Sequence, residues 1–163
     1  MTKNKMQEPK DISFHYTNPE MVKDLIKLVP FDDLDIALDA GSGRNKVWQK
    51  NCPVECLECE LEDGCDFLLD WSKQVDWVIG NPPFDIGWKF IEKSISIATK
   101  GIAVLGSIKF FNQFTSARLE KMKEKGFELQ HIHIVADKRW FGRYYFLIFG
   151  KKKGILSWER KTY

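Results

Sequence analysis

The run Gly101-Ile-Ala-Val-Leu-Gly-Ser107 is apolar without a break. A strand with one wet face alternates apolar and polar residues. An unbroken run needs cover on both faces, which a sheet gains when helices pack on either side of it. A second run of this kind, Val78-Ile-Gly-Asn-Pro-Pro-Phe84, stops abruptly. Proline lacks a backbone N–H and has a fixed φ, so two in a row cannot continue a sheet ladder. A strand must end at Gly80. Beyond it the chain forms a stiff loop presenting one amide, Asn81, and one ring, Phe84, and such loops at strand ends tend to carry function.

The remaining pattern fits around these two runs. Spacing predicts a helix over 19–29, with Asn18 as its N-cap and Pro19 in its first turn. Strands are predicted over 35–40, 54–60, 65–69 and 74–80, then a helix over 85–99 and the strand 101–107. A helix over 116–125 ends at Gly126, and strands over 129–136 and 143–149 flank the basic, aromatic loop 137–142. Strands alternate with helices until the last two strands, which succeed each other directly. That is an α/β pattern: a mostly parallel seven-stranded sheet, an antiparallel terminal strand, and helices on both faces. The 163 residues suffice for one domain. Residues 1–12 read as a mobile arm and 13–163 as that single domain.

With 44% hydrophobic and 29% charged residues, the composition is that of a globular chain. No apolar run approaches the roughly 20 residues that span a bilayer, and the polar start Met1-Thr-Lys-Asn-Lys5 has no apolar core for export. A cytoplasmic location without membrane association is expected. Cys52, Cys56, Cys59 and Cys65 sit in one short segment. Structural disulfides are not expected in such a compartment. Cys56 and Cys59 form a C-x-x-C, a spacing known from zinc sites, but on a strand they point to opposite faces, and no metal is expected. Charge is lopsided: residues 1–85 carry 9 basic and 17 acidic side chains, a net −8, and residues 86–163 carry 16 and 6, a net +10. A basic second half suits a phosphate-bearing partner.

In an open α/β sheet, ligands bind beyond the carboxyl ends of the strands. Three stretches fall there. Leu38-Asp-Ala-Gly-Ser-Gly43 carries two glycines that let backbone approach a ligand, with Lys46 where a third would stand. Glu60 lies 21 residues after Asp39, the spacing of an acid that takes two ribose hydroxyls, with Glu58 and Glu62 competing for that role. Asp66-Phe67 sets a carboxylate beside a ring, a pair suited to adenine. No G-x-x-x-x-G-K-[ST] phosphate cradle is present. A nucleoside edge without that cradle points to S-adenosyl-L-methionine.

Asn81-Pro-Pro-Phe84 after an apolar strand resembles the catalytic tetrapeptide of the amino-group methyltransferases, chiefly the N6-adenine family. Asp39-Ala-Gly-Ser-Gly43 resembles their first motif. Phe14-His-Tyr-Thr-Asn-Pro-Glu-Met-Val22 resembles the Tyr-Thr-x-Pro segment preceding it in the gamma-ordered DNA adenine methyltransferases, phage-encoded ones included. The resemblance implies a Rossmann-like methyltransferase fold that methylates the N6 amine of adenine in nucleic acid, DNA preferred, from S-adenosyl-L-methionine. It implies Asn81, Pro82 and Phe84 as catalytic. Tyr16 and Thr17 would border the methionine end of the cofactor, Asp39, Gly41, Gly43 and Asn81 would line it, Glu60 would hold its ribose, and Asp66 with Phe67 its adenine. Lys138, Arg139, Trp140 and Arg143 mix cations with a ring, which suits a nucleic-acid strand.

Family members usually carry a separate target-recognition domain, and here only a short tail comes after the last predicted strand. Recognition then falls to short loops, to a specificity subunit, or to a substrate already single-stranded. Three alternatives stay open: an RNA base methyltransferase (adenine N6 or guanine N2), a protein-glutamine N5 methyltransferase, and a non-catalytic nucleic-acid-binding subunit that keeps the fold.

Overall fold

The two unbroken apolar runs lie side by side in the middle of one sheet. The computed structural model describes residues 17–137 and 142–159, and of Phe84 the backbone alone. Six strands are described: β1 (Ile36–Ala40), β2 (Glu55–Cys59), β3 (Val75–Gly80), β4 (Ala98–Ser107), β5 (Glu128–Val135) and β6 (Tyr144–Gly150). Their order is β2-β1-β3-β4-β6-β5. β1 pairs in parallel with β2 and β3, and β3 with β4. β6 inserts between β4 and β5, antiparallel to both. The expected mostly parallel sheet with its antiparallel terminal strand is therefore present.

Register aligns the core. Leu57, Leu38, Val78, Ile102, Phe149 and Leu129 form one row across all six strands. This row faces α3 (Gly87–Ile97), α4 (Ile108–Phe111) and α5 (Ser116–Glu124), whose Phe90, Ile91, Phe110 and Met122 pack on it. The opposite face, with Ala37, Ile79, Ala103 and Ile148, takes Val22, Leu25 and Ile26 of α1 (Pro19–Ile26) and Trp48 of α2 (Val47–Asn51). Alternate residues of each central strand are thus apolar because both faces are covered. α1 starts as its sequence dictates: the Asn18 side chain accepts from the Glu20 N–H at 2.9 Å and Pro19 occupies the first turn.

The sheet's amino edge is closed by a buried polar knot. Trp77 donates its indole N–H to Asp35 Oδ2 at 2.9 Å, the Asp32 N–H reaches the same oxygen at 3.0 Å, and Lys100 pairs with Asp35. Burial alone would raise the Asp35 carboxyl, but Lys100 and the two N–H donors bring it below its ordinary value.

Four expectations need correcting. Six strands are described rather than seven, because 65–69 is not a strand. Gly64 turns the chain at φ 87° and Asp66 Oδ1 accepts from the N–H of Leu68 and Leu69, so a side chain takes donors a ladder would need. α2 and α4 are additional to the predicted helices, since five and four residues are too few to show a helical period. α1 ends at Ile26 and α3 at Ile97, short of the predicted 29 and 99. Finally, Cys59 and Cys65 are joined as a disulfide: β2 stops at Cys59, a 3₁₀ turn (Leu61–Asp63) and Gly64 fold the chain back, and the two Cα atoms come within 5.2 Å. Cys56 and Cys59 do point to opposite faces, each against a different side of the core. No helix among the described residues is long and apolar enough to cross a membrane.

Two outcomes test this arrangement. Alkylation of the denatured, unreduced protein should label two cysteines, Cys52 and Cys56, and four after reduction, read by intact mass. A Cβ at Gly101 would collide with the Trp77 ring, so Gly101→Ala should lower stability in urea by about 1–3 kcal/mol.

Candidate functional site

Parallel strands bring four carboxyl ends to one edge of the sheet. From β1 the chain crosses to β2 on one side and then to β3 on the other. The crevice between β1 and β3 is thus the switch point, where open α/β sheets bind ligands. Asp39 and the Gly41–Gly43 turn flank it on the β1 side, Gly80 and Asn81 on the β3 side.

Gly80 lets these two ends approach. Its φ is 142°, and a Cβ there would sit 3.1 Å from the Ala40 carbonyl oxygen and 3.3 Å from Asp39 Oδ1. Gly41 and Gly43 have φ 71° and 65°, and a Cβ on either would meet nothing within 4 Å. These two glycines answer a backbone need and leave a bare peptide surface facing the cleft.

Asp39 acts on this turn from beneath. It is completely buried, and its Oδ2 accepts the Gln49 N–H at 3.0 Å. α2 has no side-chain cap of its own, since its N-cap residue Lys46 is left-handed at φ 50°. Asp39 therefore caps α2 from the neighbouring strand. Expected among the residues lining the cofactor, Asp39 lies beneath the glycine turn and holds the start of α2. Burial, with the charges of Glu58 and Glu60 adding to it, pushes the Asp39 carboxyl up to about 7.

The three acids around β2 separate by partner. Glu58 pairs with Lys46 at 2.5 Å, and Glu62 with Arg44 at 2.7 Å. Glu60 meets no cation among the described residues: its carboxylate accepts the Gly43 N–H at 2.6 Å and the Glu62 N–H at 3.4 Å. A carboxylate offers about four lone-pair sites, so Glu60 keeps acceptor capacity while being aimed by the glycine turn. It also lies inside the loop closed by Cys59 and Cys65. Asp66 is committed to its own turn through Leu68 and Leu69, and Phe67 is buried against Phe90 at 4.8 Å. The expected ring beside Asp66 therefore belongs to the core.

Asn81 begins the loop after β3. Pro82 is buried and Pro83 exposed, and the Pro83 carbonyl accepts from Ile86 at 3.3 Å, closing the 3₁₀ turn Phe84–Ile86 that leads into α3. Asn81 Nδ2 donates to Thr17 Oγ1 at 3.4 Å, and Thr17 is itself buried. Asn81 Oδ1 is buried and has no partner among the described residues, as are Asp39 Oδ1, Ser42 Oγ and Ser107 Oγ. Unpaired buried acceptors are rare, and each calls for an explanation. These four lie at the carboxyl ends of β1, β3 and β4; Glu58 Oε2 on β2 and the Trp48 indole N–H on α2 are likewise buried without a partner among the described residues.

Tyr16, Lys138, Arg139 and Trp140 fall outside the described residues, as does the Phe84 side chain. Arg143 is exposed at the start of β6, next to Tyr144, which pairs with Ser107 at the same edge. Sequence reasoning missed Ser107, whose place at a strand end was the available signal. It also missed Gln113, whose Oε1 accepts the Trp88 N–H at 2.9 Å and so braces the start of α3 behind the proline loop. Nothing in the sequence pointed to that contact.

The residues present fit S-adenosyl-L-methionine: a bare glycine turn, an acid with spare acceptor capacity, and unpaired polar atoms across the crevice. No protein-family model matches the chain, and no curated protein matches it. Solved structures do. The 23S rRNA methyltransferase ErmE superposes with a TM-score of 0.61 at 12% identity, over 85% of this chain and 70% of that one. Magnesium protoporphyrin IX methyltransferase from Synechocystis PCC 6803, with S-adenosylmethionine bound, gives 0.59 at 12% identity, over 82% and 79%. A dimethyladenosine transferase from Plasmodium falciparum gives 0.57 at 14% identity, over 82% and 60%. At these identities the likeness is one of fold: the chain has the Rossmann-like architecture of these methyltransferases.

The raised Asp39 carboxyl has a pH consequence. Between its ordinary 3.8 and about 7 the folded chain holds a proton that the unfolded chain has lost, so stability falls as pH rises through that window. Asp39→Asn removes the titration. Thermal melts from pH 4 to 8 should show wild type losing ground to the variant by up to about 1.4 kcal/mol per pH unit, then running parallel.

Proposed function

We propose that the chain transfers a methyl group from S-adenosyl-L-methionine to the exocyclic N6 amine of adenine in nucleic acid, with DNA as preferred substrate. The observation that carries this reading is the buried, unpartnered Asn81 Oδ1, across the β1–β3 crevice from the Gly41–Gly43 turn and Glu60.

When bound, S-adenosyl-L-methionine supplies an electrophilic methyl group on a positively charged sulfur. The chain's own residues arrange the rest. Glu60, aimed by the Gly43 N–H, receives the ribose hydroxyls; Gly41 and Gly43 let the backbone pass close; Asp66, with the acceptor capacity its own turn leaves, takes the adenine amine; Tyr16 would border the methionine end. An adenine amine is a weak nucleophile because its lone pair is delocalised into the ring. Asn81 Oδ1 and the Pro82 carbonyl accept its two N–H groups and draw the nitrogen toward tetrahedral geometry. Pro82 and Pro83 fix both acceptors before the amine arrives, so little reorganises during transfer. Phe84 covers a face of the base. A base taken from a duplex must first be flipped out, at a few kcal/mol, partly offset by about 1–3 kcal/mol of stacking.

The net +10 of residues 86–163 favours a polyanion over a protein glutamine. Arg143, at the edge where β6 begins, would contact the nucleic-acid strand, and Lys138, Arg139 and Trp140 would add cations and a ring to that contact. A single catalytic domain over 13–163 would read its target through such loops or through a specificity subunit, in the cytoplasm.

Tritiated-methyl transfer measured across DNA, RNA and protein substrates should show incorporation into adenine of nucleic acid. Asn81→Ala should lower turnover by about 10²–10³-fold while calorimetric affinity for S-adenosyl-L-methionine stays near wild type. Equal loss of both would place the site elsewhere.

A further inference from the structure

We infer that Thr17 positions the Asn81 carboxamide, anchoring it so that its oxygen end is left for the amine; this rests on the reading above. Thr17 Oγ1 accepts the Asn81 Nδ2–H at 3.4 Å across 64 positions of sequence. Thr17 is 8% exposed and Asn81 Oδ1 has no partner among the described residues. The amide is therefore held by its nitrogen end alone, and its oxygen end is left for another donor.

An amide presents an acceptor at one end and two donors at the other. Only the oxygen can receive an amine N–H; a flipped amide would set NH₂ against NH₂. The backbone of Asn81 cannot choose between the two orientations, because Pro82 and Pro83 constrain the main chain and leave the amide torsion broad. The Thr17 hydroxyl anchors the side chain at that torsion, and in the arrangement found it takes Nδ2–H and leaves Oδ1 toward the crevice. It does so from the start of the chain's first helix, where Asn18 and Pro19 fix the entry angle of α1 and α1 packs into the core through Val22 and Leu25. Thr17 is a positioning residue: its hydroxyl acts through Asn81.

Thr17→Val keeps the shape and removes the hydroxyl, whereas Thr17→Ser keeps the hydroxyl. In the full chain labelled with ¹⁵N, the Asn81 side-chain amide protons should shift and exchange with solvent faster in Thr17→Val, and remain as in wild type in Thr17→Ser. Turnover should fall about tenfold in Thr17→Val, the size of one lost hydrogen bond, with affinity for S-adenosyl-L-methionine and the KM for nucleic acid unchanged, and Thr17→Ser should restore it. Unchanged Asn81 amide signals in Thr17→Val would overturn the inference. So would a loss of cofactor affinity matching the loss of turnover, which would make Thr17 a cofactor contact. A wild-type chain inactive on every substrate would overturn the proposed function alone, and the amide signals would still decide the role of Thr17.

Discussion

The close approach of β1 and β3 at their carboxyl ends governs the rest of the molecule. Gly80 makes it possible, because any side chain there would press on the Ala40 carbonyl and the Asp39 carboxylate. Once the strands are this near, Asp39 is sealed under the glycine turn, where it caps α2 and shapes the loop from below. Glu60 after β2 and Asn81 after β3 then stand at the same edge of the sheet, on either side of β1. A wider spacing would hydrate Asp39, release the start of α2 and separate the two halves of the site.

The two edges of the sheet show what separates structural from functional polarity. At the amino edge, buried Asp35 is fully engaged by Trp77, Asp32 and Lys100. Its charge is compensated, and its work is to hold strands together. At the carboxyl edge, Asp39, Ser42, Asn81 and Ser107 each keep a buried atom without a partner among the described residues. Leaving such an atom unpaired costs about 1–3 kcal/mol, and on the proposed reading a bound ligand would offset that cost. Among the acids around β2, Glu58 and Glu62 pair with loop cations, while Glu60 is aimed by a backbone N–H and left with acceptor capacity.

The sequence by itself determined the layered α/β architecture and which residues end the parallel strands at the candidate site. Unbroken apolar runs require cover on both faces, and prolines after Gly80 stop a strand wherever it lies; both are local rules. The glycine turn, Glu60 and Asn81 were legible for the same reason. Short α2 and α4 were not, because too few residues show no period, and 65–69 has a strand's composition yet is no strand, because an aspartate side chain outcompetes a ladder for the same N–H groups. Only the tertiary structure decided which of three neighbouring acids is free of a cation, that Cys59 meets Cys65, that Asp39 is buried beneath its loop and that Phe67 belongs to the core. It alone brought Thr17 to Asn81. Those outcomes depend on distances between residues far apart in the chain or folded back by a turn, and a one-dimensional pattern holds no record of such distances.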